Sequence, residues 1–215
     1  RPRDWSSDVC SSDLVADAAV RGALRFLLRD AAQRGRFNPA DRANPEQGSG
    51  YIVLAMGKMG AFELNYSSDI DLIVLYDRNA AALVDKDDAA AFHVRITRGL
   101  VKLLQERTAD GYVFRVDLRL RPDPASTQIA VSIDAALDYY GSVGQNWERA
   151  AMIKARVCAG DFEAGEEFLR QLAAFIWRKY LDFAAVADIE ALKRQIHAYR
   201  GHENIAVEEI GRAHV

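Results

Sequence analysis

Two aspartates separated by one apolar residue, Asp69-Ile70-Asp71, open an apolar run that continues through Leu72 and Ile73. Side chains alternate across a β-strand. This spacing therefore projects both carboxylates from one face, roughly 6–7 Å apart, and turns Ile70 and Leu72 into the core. Carboxylates held that close repel each other unless a cation lies between them. Mg²⁺ suits such a pair, because it is hard, takes oxygen ligands and completes its shell with phosphate and water. The segment Val113 to Arg121 repeats the logic. In an extended strand, Arg115, Asp117, Arg119 and Arg121 share one face, and Phe114, Val116, Leu118 and Leu120 share the other. Laid beside the first strand, this segment brings in Asp117 as a third carboxylate. Two metal ions about 4 Å apart could then clamp the attacking and leaving oxygens of an in-line displacement. Arg119 and Arg121 are candidates for gripping non-bridging phosphate oxygens. Upstream, the Gly57-Lys58-Met59-Gly60 turn lets backbone amides approach a phosphate, with Lys58 as a nearby point charge.

Each feature also has a plainer reading. Asp-x-Asp arises by chance in apolar strands, Gly-rich turns after strands are commonly only turns, and alternating Arg and Asp can form an ion-pair ladder. The three in this order are much harder to explain structurally. Other polar residues add less. His93 reads as an exposed or packed helix residue, and His197 and His202 lack zinc-like spacing. Lys154 and Arg156 either bind phosphate or belong to a solvated helix face.

The elements that must position these groups follow from hydrophobic periodicity. Residues 15–34 have helical spacing, with Val20, Leu24, Phe26, Leu27 and Leu28 among the apolar positions. Residues 35–50 read as a loop. Tyr51 to Met56 and Asp69 to Tyr76 read as strands, and 87–108 as an amphipathic helix burying Phe92, Ile96, Leu100, Leu103 and Leu104. Val113 to Arg121 is a third strand, stopped by Pro122 and Pro124, and Gln128 to Ile133 a fourth. From there on, the pattern is helical over about 134–142, 145–157, 162–181 and 186–200, with Asp161 as an N-cap. The fold class expected is α+β: a small mixed sheet with flanking helices, followed by an all-α segment.

Composition narrows the function. The 215 residues are 50% apolar with a formal net charge of −3, which supports a sizeable core. That charge gives no electrostatic case for long nucleic acid or an anionic membrane. No apolar run reaches bilayer-spanning length, so a cytoplasmic location is the expectation. Asp4 to Leu14 and Glu209 to Val215 back-translate into the two orientations of a common sequencing adapter. Residues 1–14 and 209–215 are accordingly expected to be assembly artefact around a fragment, with a core domain over 15–143 and a helical segment over 144–208. Cys158 is then the sole native thiol, with no disulfide partner.

The stretch from Gly57 through Asn65-Tyr66-Ser67-Ser68-Asp69-Ile70-Asp71-Leu72 resembles the nucleotidyltransferase motif of the bacterial glutamine-synthetase adenylyltransferases, within the DNA-polymerase-β-like superfamily. The resemblance covers essentially all of residues 15–208. It implies that Asp69, Asp71 and Asp117 are catalytic metal ligands for Mg²⁺, two ions in all. Gly57 and Lys58 from the turn, Ser68 beside the Asp pair, and Arg119 and Arg121 from strand alternation are the residues expected to face nucleotide and phosphate. The implied partners are glutamine synthetase, the PII signal protein, ATP, ADP or AMP, and inorganic phosphate. Family chains carry two such domains, one attaching AMP to a tyrosine of glutamine synthetase and one removing it by phosphorolysis to give ADP. The segment Gly144-Gln145-Asn146-Trp147-Glu148-Arg149 through Arg156 looks more like the removing copy. The alternatives are the adenylylating half and a non-catalytic module that docks glutamine synthetase or PII.

Overall fold

The computed structural model describes residues 5–177. Its organising element is a mixed sheet of short strands: β1 (Tyr51–Ala55), β2 (Ile70–Tyr76), β3 (Val116–Asp117), β4 (Val131–Ser132) and β5 (Arg156–Gly160). The order is β3-β2-β1-β5, and β4 also pairs with β2. β1 runs antiparallel to both β2 and β5. The outer edge of β2 is shared by two parallel partners, β3 against Ile70 and Asp71, then β4 against Leu75 and Tyr76. The helices are α1 (Trp5–Gln33), the single turn α2 (Gly57–Gly60), α3 (Ala89–Gln105), α4 (Ile133–Ser142), α5 (Asn146–Met152) and α6 (Phe162–Ile176). The α+β architecture expected from the sequence is the one observed.

Alternation along β2 divides the molecule. Ile70, Leu72, Val74 and Tyr76 pack with Val20, Leu24 and Leu28 of α1 and Phe92, Ile96 and Leu100 of α3. Ile73 and Leu75 pack with Tyr140 of α4, Met152 of α5 and Phe168 and Leu172 of α6. Both faces of the central strands are therefore covered, and β1 is buried throughout. Asp71 shares its face with Ile73 and Leu75, at the end of the strand where the second core runs out.

Several boundaries differ from the sequence reading. The first helix begins at Trp5, ahead of the expected residue 15, and the Asp13 carboxylate accepts a bond from the Leu64 amide. Its buried stripe is Ala16, Val20, Leu24 and Leu28, spaced by four, which places Phe26 on the outer side. The same spacing in α3, through Phe92, Ile96, Leu100 and Leu104, leaves Leu103 exposed. The third strand is only Val116–Asp117, not Val113 to Arg121. The Arg119 amide turns back onto Asp117 Oδ1 at 2.8 Å, ending the extended run. Leu118 therefore packs in the first core and Leu120 in the second, and the expected single apolar face does not extend past the turn.

The largest correction concerns 145–157. The helix there stops at Met152, and Arg156–Gly160 forms the strand β5, so the region after residue 144 is not purely helical. β5 has all but its first residue buried, which removes the period-two signature that would have betrayed it. Asp161 caps α6 as expected, accepting from the Ala164 amide. The expected helix at 186–200 lies outside the described residues. Gly160 joins β5 to that cap at φ +89, and a Cβ there would come within 2.0 Å of the Tyr51 carbonyl oxygen. Gly160→Ala is therefore expected to destabilise the fold by about 3 kcal/mol, through strain and displacement of β1. Chemical denaturation would measure this.

Candidate functional site

Three segments meet at the open end of β2. Asp69 directly precedes the strand and Asp71 is its second residue. Asp117 ends β3, in register with Asp71 across the parallel pair. The two carboxylates thus sit side by side on neighbouring strands, the arrangement in which like charges oppose each other most directly. Burial, then the nearby Asp117 and Asp69 charges, hold the Asp71 carboxyl above its usual range, while Arg119 and Lys58 act in the opposite direction. The side chain of Asp117 is held below its usual range, chiefly by hydrogen bonding from the Arg119 guanidinium.

The arginines complete the charge balance. Arg119 Nε donates to Asp117 Oδ2 at 2.8 Å, and its own side chain is 85% exposed. Arg115 pairs with Asp69 and also donates to the Ser67 carbonyl oxygen at 3.0 Å. Arg121 is engaged differently. Its guanidinium donates to the carbonyl oxygens of Leu118, Pro124 and Thr127, which ties down the loop after β3. Among the described residues, no three Asp, Glu, His or Cys side chains converge as one ready ligand set. The reason is visible in these pairs: Asp69 is turned onto Arg115 and Asp117 onto Arg119.

On the other side of Asp71 stands α2, which is one helical turn where the sequence suggested a simple tight turn. Its amides bond back, Gly60 to the Met56 carbonyl oxygen and Ala61 to that of Gly57. Gly57 has φ +54, and a Cβ there would come within 2.8 Å of Asp71 Oδ2. Only glycine meets both requirements. Lys58 Nζ donates to Ser68 Oγ at 3.4 Å, so these two expected phosphate-side residues are brought together. Gly57, Lys58, Ser68, Asp69, Asp71, Asp117 and Arg119 therefore cluster at one end of the sheet, and Arg121 braces the adjoining loop.

The donor set suits a hard divalent cation: carboxylate oxygens only, two of them opposed across neighbouring strands, with a bare Cα leaving room beside Asp71. The sequence reading missed Arg115 as the partner of Asp69. The signal was present in the alternating Arg115 and Asp117, but it was absorbed into the strand pattern. Beside Asp69, Tyr66, Ser67, Ser68, Tyr112, Val113 and Arg115 line part of an open cavity of about 440 Å³.

The model of the glutamate-ammonia ligase adenylyltransferase family matches residues 7–171. The chain belongs to this family. Curated relatives agree. A bifunctional glutamine synthetase adenylyltransferase/adenylyl-removing enzyme of Xanthobacter autotrophicus is 63% identical over 194 residues, 90% of this chain. Relatives of the same description from Bradyrhizobium sp. strain ORS 278 and Brucella suis are 63% and 58% identical, again over 90% of the chain. The chain spans about a fifth of the length of these relatives. Both Asp-bearing strands of this adenylyltransferase-family chain fall within the matched residues. No described helix is long and apolar enough to cross a membrane.

Proposed function

We propose that this chain carries a nucleotidyl-transfer centre acting on glutamine synthetase, and that its reaction is phosphorolytic removal of AMP from an adenylylated tyrosine. The register of Asp71 with Asp117 carries the reading. Two opposed carboxylates at a strand end, with one held above its usual range, favour a divalent cation between them and phosphate oxygens beyond it. Mg²⁺ bound there would neutralise charge on the reacting phosphates.

The chain's own residues do the rest. The Arg115 and Arg119 guanidiniums are largely exposed, so both are placed to turn from their carboxylates and grip phosphate oxygens. Lys58 and Ser68 hold the incoming phosphate in line with the AMP phosphorus. A new phosphorus–oxygen bond forms to inorganic phosphate as the bond to the tyrosine oxygen breaks. ADP leaves, and the tyrosine oxygen takes up a proton. Inorganic phosphate, already a dianion, attacks without a strong general base, so positioning and charge neutralisation supply most of the acceleration.

The relatives' bifunctional names favour considering the forward reaction too, in which AMP moves from ATP to the tyrosine and pyrophosphate departs. The segment from Gly144 to Arg156 supports the removing direction. Incubating the chain with adenylylated glutamine synthetase, Mg²⁺ and phosphate should release ADP. Pyrophosphate release from ATP and unmodified glutamine synthetase, without ADP formation in the first assay, would reverse the assignment. PII is the proposed regulatory partner, and its addition should change the rate. Silence in both assays, with no Mg²⁺-nucleotide binding, would leave a docking module.

A further inference from the structure

The buried side of the α2 turn is held by a residue that this mechanism does not use. Arg156, first in β5, donates from Nη1 and Nη2 to the two carboxylate oxygens of Asp17 on α1, at 2.8 and 2.9 Å. It also donates from Nε and Nη2 to the Met59 carbonyl oxygen, at 3.3 and 3.1 Å. Its guanidinium carbon lies 3.9 Å from the centre of the Phe62 ring. A planar fork is the one cation that can meet a carboxylate, a carbonyl and a ring face together. Phe62 itself has φ +58, a left-handed conformation that a bulky residue keeps only where its surroundings over-determine it. The ring is half exposed, so burial alone does not hold it. Gly60 adds a second point of contact, since a Cβ there would come within 2.1 Å of the Lys154 carbonyl oxygen. The stretch 154–156 thus backs the whole turn, whose far side presents Gly57 to Asp71 and Lys58 to Ser68.

We propose that Arg156 is a positioning residue: through Met59 and Phe62 it fixes the Gly57–Gly60 turn, and hence Lys58, at the distance from Asp71 that a nucleotide phosphate requires. This rests on the nucleotidyl-transfer reading above. A residue serving only as an α1–β5 ion pair would affect melting and nothing else. A brace predicts a loss of phosphate binding by protein that is still folded.

The test is titration of this chain with Mg²⁺-ADP, and separately with Mn²⁺ alone, by calorimetry, with melting followed in parallel. Arg156→Lys keeps the charge and loses the fork. Phe62→Gly removes the ring while relaxing the left-handed backbone, and it decides the matter should the lysine variant not fold. Both variants should bind Mg²⁺-ADP about tenfold or more weakly, the loss expected when one charge-assisted contact to phosphate is no longer held in place. Both should bind Mn²⁺ as the parent does, whereas Asp71→Asn should lose Mn²⁺. Parent-like ADP affinity in both variants, with Asp71→Asn defective, overturns the brace alone. No Mg²⁺-ADP binding by the parent overturns the nucleotidyl-transfer reading, and the brace with it.

Discussion

Asp71→Asn should abolish activity while making the protein harder to melt. In the proposed reaction, activity should fall by at least about 10³-fold, because the carboxylate opposed to Asp117 that would hold the cation is replaced by a neutral amide. Stability should move the other way. Burial and the adjacent Asp117 and Asp69 charges raise the Asp71 carboxyl above its ordinary value of 3.8. A carboxyl raised in this way favours the folded state when protonated. That contribution is complete below 3.8 and is lost as pH rises through the folded value. At neutral pH the ionised parent therefore carries a repulsion that asparagine removes. Each 1 kcal/mol so recovered corresponds to about 2–4 °C in Tm for a chain of this size. Melting both proteins in chelator at pH 4 and pH 7.5 checks the sign, because the gap should open as pH rises. A variant that melts below the parent at pH 7.5 would make Asp71 a structural ion-pair partner and revive the ladder reading of these strands. Adding Asp69→Asn should deepen the loss of activity and change stability little, since the Arg115–Asp69 pair is exposed.

The second large effect is acid instability set by His93. The ring is fully buried and stacked on Tyr76, with centroids 4.4 Å apart and 13° between planes. Its Nδ1 lies 2.7 Å from the Ala89 carbonyl oxygen, which makes that nitrogen the donor. Nε2 is buried without a hydrogen-bond partner. Protonation would place a charge there, and burial, opposed by the Ala89 bond and the Asp77 charge, pushes the folded value down from 6.5 to about 4. With the folded value depressed, the contribution is complete above 6.5 and is lost as pH falls through the folded value. The difference corresponds to about 3 kcal/mol, a large share of a domain's stability. His93→Phe preserves the stack and removes the titration. Denaturant midpoints from pH 7 to pH 4 should fall more steeply for the parent than for this variant. Equal slopes would show that His93 is not the acid-sensitive group. Asp71 titrates in the opposite sense, so the comparison with His93→Phe, not the parent's slope alone, isolates the histidine.

How much of this was legible beforehand depended on whether a signal was local. Asp-x-Asp at the head of an apolar run is a local pattern, and Ile70 and Leu72 are buried as alternation requires. The stripes of α1 and α3 were legible for the same reason, apart from Phe26 and Leu103. Sequence alone leaves His93 open between packed and exposed, because nothing in its neighbours in sequence announces Tyr51 and Tyr76 stacked against it. Arg156, expected within a helix, instead begins the strand that backs the Gly57–Gly60 turn.

The amino-acid sequence by itself determined the acidic residues, the order in which they occur and the period that puts Asp69 and Asp71 at the head of a strand. Those are properties of residues a few positions apart, governed by backbone geometry. Only the tertiary structure decided that Asp117 stands in register with Asp71, that Arg115 and Arg119 hold the outer carboxylates, and that β5 crosses back to support the α2 turn. Pairing between segments some 45 to 100 residues apart is chosen by which faces can be buried together, and that is a property of the whole core.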